Sequence, residues 1–135
     1  MTTVRGELAR RVGSSPVRPL AGKIALSGPD DLVNAGIDCL DPLDPLGGMN
    51  IADMKSRVGQ QVCLKGNVNI GGALSLGTPE DVREETLACL KAGMPGGGYI
   101  LSTSNSVMAS VKPANYVAML ETWRAYGKYP RPASA

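Results

Sequence analysis

From about residue 23 onward, short apolar runs alternate with amphipathic segments, and this alternation restricts the fold more than any other feature of the chain. K-I-A-L-S (23 to 27), I-D-C-L-D (37 to 41), Q-V-C-L-K-G-N (61 to 67) and G-Y-I-L-S-T-S (98 to 104) have the length and composition of strands. The amphipathic segments begin near Asn50, Thr78 and Lys112. T-P-E-D at 78 to 81 is the clearest start, with a hydroxyl at the N-cap, proline at the first helical position and acids where the macrodipole favours them. The helix is expected to run to about Ala92 and stop at Gly93, with Val82, Leu87, Cys89 and Leu90 as its apolar stripe. A second helix from Asn50 to Val58 ends at Gly59, and a third, 113 to 127, is expected to bury Tyr116, Val117, Leu120 and Trp123.

Strands separated by helices pair in parallel through right-handed crossovers, so the class is α/β. One interval resists this layout. Only about nine residues, G-P-D-D-L-V-N-A-G (28 to 36), lie between the first two strand candidates, and a parallel crossover takes a dozen or more. Either K-I-A-L-S does not pair beside I-D-C-L-D, or a segment is missing there. Residues 1 to 22, ending in the linker-like G-S-S-P-V-R-P-L-A-G, read as an N-terminal arm or linker, partly ordered and more so where a partner chain covers it. Residues 23 to 130 form the folded unit, and 131 to 135 a flexible tail. With 135 residues, 43% of them hydrophobic, one domain is expected.

Composition removes several functions. The chain has no histidine, which rules out Ser-His and Cys-His nucleophile pairs and leaves acid-base work to Asp, Glu, Lys or Tyr groups with displaced pKa values. Its 14 basic residues nearly balance its 12 acidic ones and are scattered, so no nucleic-acid partner is expected. Cys39, Cys63 and Cys89 have no metal-ligand spacing; they read as reduced core thiols, and no metal or other cofactor is expected. No apolar stretch is long enough to span a bilayer and the N-terminus lacks a signal-type apolar core, so a cytoplasmic location without membrane contact is expected.

The third strand raises the question of function. Val62, Leu64 and Val68 alternate with Cys63, Lys65 and Asn67, so one face is apolar and the other polar. The helix-covered face of an α/β sheet is apolar, which puts Lys65 and Asn67 on the inward side of a barrel or at the mouth of a crevice, near the strand's C-terminal end. Ser102, Ser104 and Asn105 repeat this towards the end of the last strand, and Asn69 follows the third. Lys65, Asn67, Asn69, Ser102, Ser104 and Asn105 are thus the candidate ligand-binding residues. The alternative for the same six is a set of polar groups satisfied by loops and water. Gly71 and Gly72 are a weak candidate for approaching an anion, Gly96 to Gly98 have a turn role, and Asp41 and Asp44 are either paired carboxylates or Asx-turn residues.

D-L-V-N-A-G-I-D-C-L-D-P (31 to 42), K-G-N-V (65 to 68), G-T-P-E-D-V-R-E-E (77 to 85), P-G-G-G-Y-I (95 to 100) and V-K-P-A-N-Y-V-A-M-L-E (111 to 121), in this order, resemble the C-terminal half of the uroporphyrinogen decarboxylase family. The resemblance runs from about Gly22 to Pro130, and S-T-S-N-S-V is more similar to the methyltransferase-like and unassigned branches. It implies half of a (β/α)8 TIM barrel, four β/α units with parallel strands. It also implies that the arginine and aspartate serving the decarboxylase come from a half not matched here. Asn105 stands where that enzyme carries a histidine. The His-x-Cys zinc motif of the methyltransferases would fall between K-I-A-L-S-G and P-D-D-L, at the same short interval.

Open edges and an exposed inner face imply self-association, with two copies closing one barrel as a homodimer. The leading expectation is a truncated family member that dimerises and binds a small anionic or carboxylated ligand. The alternatives are retained decarboxylation of a tetrapyrrole, corrinoid-linked methyl transfer, or a scaffold with no ligand.

Overall fold

The computed structural model describes residues 28 to 129 together with a two-residue strand, β1 (Pro19–Leu20). Four β/α units follow one another. After β1 come α1 (Pro29–Asn34), β2 (Cys39–Leu43), a 3-10 turn (Pro45–Gly47), α2 (Ile51–Val58), β3 (Cys63–Val68), α3 (Pro79–Gly93), β4 (Tyr99–Thr103) and α4 (Pro113–Tyr126). The strands form one sheet in the order β1-β2-β3-β4, every neighbouring pair parallel. Sequential parallel neighbours with a helix after each strand make a partial (β/α) barrel, with half the strand number of a closed eight-stranded one.

The short interval noted in the sequence is explained by β1. One side of β2 is taken by Pro19–Leu20 and the other by β3, so the strand before β2 in the sheet lies upstream of the nine-residue interval. K-I-A-L-S lies outside the described residues, as do the remainder of the arm and the tail from residue 130.

Local signals set the helix ends. The Thr78 hydroxyl accepts from the Asp81 N–H at 3.2 Å while the Asp81 carboxylate accepts from the Thr78 N–H at 2.7 Å, a reciprocal capping box. Asn50 caps α2 through the N–H groups of Ala52 and Asp53. Gly93 ends α3, though not as a left-handed cap. A Cβ there would stand 2.5 Å from the Tyr99 ring, so the glycine lets β4 pack against the end of the helix. The left-handed conformation is taken instead by Gly96, Gly97 and Gly98, which turn the chain into β4.

The core lies between the sheet and α2 to α4. Leu40, Leu43, Val58, Val62, Leu64, Val68, Leu74 and Val82 are fully buried in it. The expected burial on α4 is corrected. Asn115, Ala118, Met119 and Thr122 are its buried residues, whereas Val117 is 50% and Trp123 45% exposed, with Tyr116 and Leu120 half-buried. α4 leans chiefly on α3, and at that seam the small Ala118 and the bonded polar residues allow close approach. Asn115 donates to the carbonyls of Ala73, Leu74 and Gly77, fastening α4 to the loop after β3.

Candidate functional site

Residues paired in register point to the same face, and the set opposite the core is Cys39 with Cys63, Lys65 with Ile100, and Asn67 with Ser102. This is the inner face of the barrel segment. Ile100, 50% exposed, lies on it. The loops after β2, β3 and β4 carry further exposed apolar side chains at the C-terminal ends of the strands: Leu46, Leu76, Val107 and Met108.

Lys65 is the charged centre of the face. Its ammonium donates to the Asp41 carboxylate at 2.8 Å, with 37% of the lysine side chain and 21% of the aspartate side chain exposed. The hydrogen bond and charge of Asp41 hold the Lys65 ammonium above the usual lysine range, against a smaller opposing effect of burial. Asp44 is turned away from this pair and caps the 3-10 turn by accepting from the Leu46 N–H at 3.0 Å. Of the two alternatives for these acids, Asp44 takes the Asx turn, and Asp41 is the partner of a lysine rather than of another carboxylate.

The other candidates divide. Asn67 begins on the inner face but is only 5% exposed. Its amide donates to the carbonyls of Leu43 and Met49 at 3.1 and 2.7 Å and accepts from the Ile51 N–H at 3.1 Å, joining β3 to the β2–α2 connection. Asn69 forms an Asx turn by accepting from the Gly72 N–H, and its own N–H donates to Glu85 at 2.6 Å. Gly72 packs so closely on Asn69 that a Cβ would stand 2.7 Å from the amide nitrogen, so this N–H is engaged within the loop. Ser104 is fully buried and accepts from the Ile70 N–H at 3.2 Å. Asn105 is exposed and accepts from the N–H of Ser106. Ser102 is half-buried on the inner face beside Asn67. Thus Lys65 and Ser102 stay available on the face, while Asn67, Asn69 and Ser104 are drawn into the scaffold beneath the rim.

Sequence reasoning missed two features here. Asp41 as the lysine's partner was hidden because the two residues are 24 positions apart. Cys63 was expected in the core and instead lies half-buried on the inner face, with only Cys89 of the three cysteines in the helix-side core. The alternation Cys63–Lys65–Asn67 already carried that signal. Among the described residues no three His, Cys, Asp or Glu side chains gather into a metal-holding group. None of the described helices is long and apolar enough to cross a membrane.

The family model for uroporphyrinogen decarboxylase matches residues 23 to 126, most of the chain and all of the β2 to α4 units. The chain belongs to the uroporphyrinogen decarboxylase family. The uroporphyrinogen decarboxylase of Pseudoalteromonas translucida (strain TAC 125) is 34% identical over 67 residues, 50% of this chain and 18% of the relative. That of Vibrio campbellii (strain ATCC BAA-1116) is 32% identical over 74 residues, 54% of this chain and 20% of the relative. The matches therefore span no more than a fifth of the length of these uroporphyrinogen decarboxylases. The open inner face is consistent with that, since four β/α units of this family form only part of a barrel wall.

Proposed function

We propose that this uroporphyrinogen decarboxylase-like chain associates with a second copy of itself, which covers the inner face, and that the rim around Lys65 binds a small carboxylated ligand. The observation that carries the reading is the half-exposed Ile100 beside the Lys65–Asp41 pair, on a face that a closed barrel encloses. Apolar area and open strand edges favour a partner, and a copy with four strands of its own brings the number to eight.

The ligand class follows from the side chains. Lys65 offers an ammonium with donors beyond the one given to Asp41, Ser102 offers a hydroxyl, and Leu46, Leu76, Val107 and Met108 offer an apolar collar. An organic carboxylate suits such a combination. The relatives are named as decarboxylases of uroporphyrinogen, so a carboxylated porphyrin is the natural probe.

Light scattering over a dilution series and fluorescence titration with uroporphyrin test the two halves separately. The expected result is a mass twice the 14.0 kDa of one chain, with saturable binding weakened at least about tenfold in Lys65→Ala while the mass is unchanged. A monomer at every concentration overturns the association. Binding that is absent, or indifferent to Lys65, overturns the ligand site.

A further inference from the structure

Cys39 and Cys63 are direct partners in the register of β2 and β3 and project from the same face of the sheet. Adjacent strands lie about 4.8 Å apart, inside the range of about 4.4–6.8 Å between Cα atoms that a disulfide accepts. The two thiols differ in setting, since Cys39 is buried and Cys63 is half-exposed on the inner face. We propose that Cys63 and Cys39 form a redox-responsive dithiol, in which a hydroperoxide oxidises Cys63 and Cys39 then resolves it to an intrachain disulfide.

The electrostatics agree with this division of roles. The neighbouring Cys39 side chain lowers the Cys63 thiol from its ordinary value, and the Cys63 side chain together with burial raises that of Cys39. The charges of Lys55 and Lys65 add to the lowering at Cys63, while its partial burial and the Asp41 charge oppose it. An accessible low-pKa cysteine beside a resolving one is the arrangement that peroxide-sensitive proteins use. Cys89 provides an internal contrast, because burial pushes its thiol up to about 12.

The chemistry balances without a metal or cofactor. The Cys63 thiolate attacks one oxygen of the hydroperoxide, the O–O bond breaks, and the departing oxygen takes up a proton and leaves as an alcohol or water. Cys63 is then a sulfenic acid. The Cys39 sulfur attacks it, an S–S bond forms, and hydroxide leaves with the Cys39 proton as a second water. Two thiols have lost two electrons, and the hydroperoxide has gained them.

The inference rests on the strand pairing and on the different exposure of the two thiols, and does not depend on the association proposed above. It is tested on the full chain by exposure to hydrogen peroxide, blocking of remaining thiols with N-ethylmaleimide in denaturant, and non-reducing tryptic mass mapping. Cleavage places Cys39, Cys63 and Cys89 in separate peptides, 24 to 55, 58 to 65 and 84 to 91. The expected product joins the first two with loss of two hydrogens, is reversed by dithiothreitol, and leaves Cys89 blocked by maleimide. In Cys39→Ser, dimedone should instead label Cys63. Unreacted Cys63, its overoxidation to sulfinic acid without a crosslink, or a crosslink through Cys89 or between two chains overturns the proposal. The parent chain decides the question even if the variant does not fold.

Discussion

The Lys65 ammonium lies 2.8 Å from the Asp41 carboxylate, bridging β2 and β3 across the inner face. Because Asp41 raises the folded-state pKa of Lys65, the contribution of the pair is complete below the unfolded lysine value and is lost as pH rises through the higher folded one. With 37% of the lysine side chain exposed, solvent screening limits the contribution to at most about 1 kcal/mol. Lys65→Met should therefore lower the urea midpoint slightly near neutral pH and converge on the parent above the folded lysine pKa. An equal loss on both sides of that pH would assign the effect to packing of the stem.

Asn67 is predicted to be a stability residue before it is a ligand residue. Replacing it by Ala leaves the Leu43 and Met49 carbonyls and the Ile51 N–H without their buried partner, at a cost of about 2–4 kcal/mol. Asn67→Asp should be at least as damaging, since a carboxylate would face two carbonyl oxygens. Urea unfolding of both variants measures this, and near-parental midpoints would free Asn67 for a role at the site.

Helix propensity and packing make opposite predictions at Gly93. In an exposed helix interior Gly→Ala gains about 1 kcal/mol, but here the new Cβ would enter the Tyr99 ring at 2.5 Å, and Gly93→Ala should destabilise by about 1–3 kcal/mol. Gly97→Ala meets nothing within 4 Å yet sits at φ +82°, so a cost of about 1–2 kcal/mol comes from the backbone alone. Adding Tyr99→Ala to each variant separates the mechanisms. The double-mutant cycle should show coupling with Gly93 and none with Gly97.

Glu85 gives a pH signature of the same sign as that of Lys65, but in the acid range and with the charged form as the disfavoured one. Burial raises its carboxyl above the usual range despite the hydrogen bond from the Asn69 N–H. The folded state then binds a proton more tightly than the unfolded one, so stability falls as pH rises from the unfolded glutamate value through the folded one. Glu85→Gln keeps an acceptor for Asn69 without the charge. It should raise the melting temperature near neutral pH, and the gain should disappear in acid where Glu85 is already protonated.

The parts of the fold legible in the sequence are those with local causes. Thr78 and Asp81 are three residues apart, and their capping box is written in T-P-E-D. The strand alternation around Lys65 correctly separated the helix side from the inner side, because side chains on a strand alternate whatever the partner. The pairing of Pro19–Leu20 was not foreseen because nothing local distinguishes it from a linker; its strand character comes from parallel pairing with Cys39–Leu40. The buried set on α4 was misjudged for a related reason. Val117 and Trp123 are apolar, but α4 meets α3 through Ala118, Met119 and Thr122, and the direction of that contact is a property of the helix pair.

The sequence by itself determined the α/β class, the ends of α2 to α4 and the family, because these depend on periodicity, capping and motif order along the chain. Tertiary structure alone decided which candidates remain available and which become scaffold. Asn67, Asn69 and Lys65 look alike as polar residues at alternate positions, yet Asn67 is consumed by the carbonyls of Leu43 and Met49 and Asn69 by Gly72, while Lys65 stands on the open face beside Asp41. Whether a polar side chain is spent on the fold or left for a ligand depends on the backbone groups that distant segments bring within hydrogen-bonding distance, and those are set only when the strands pair.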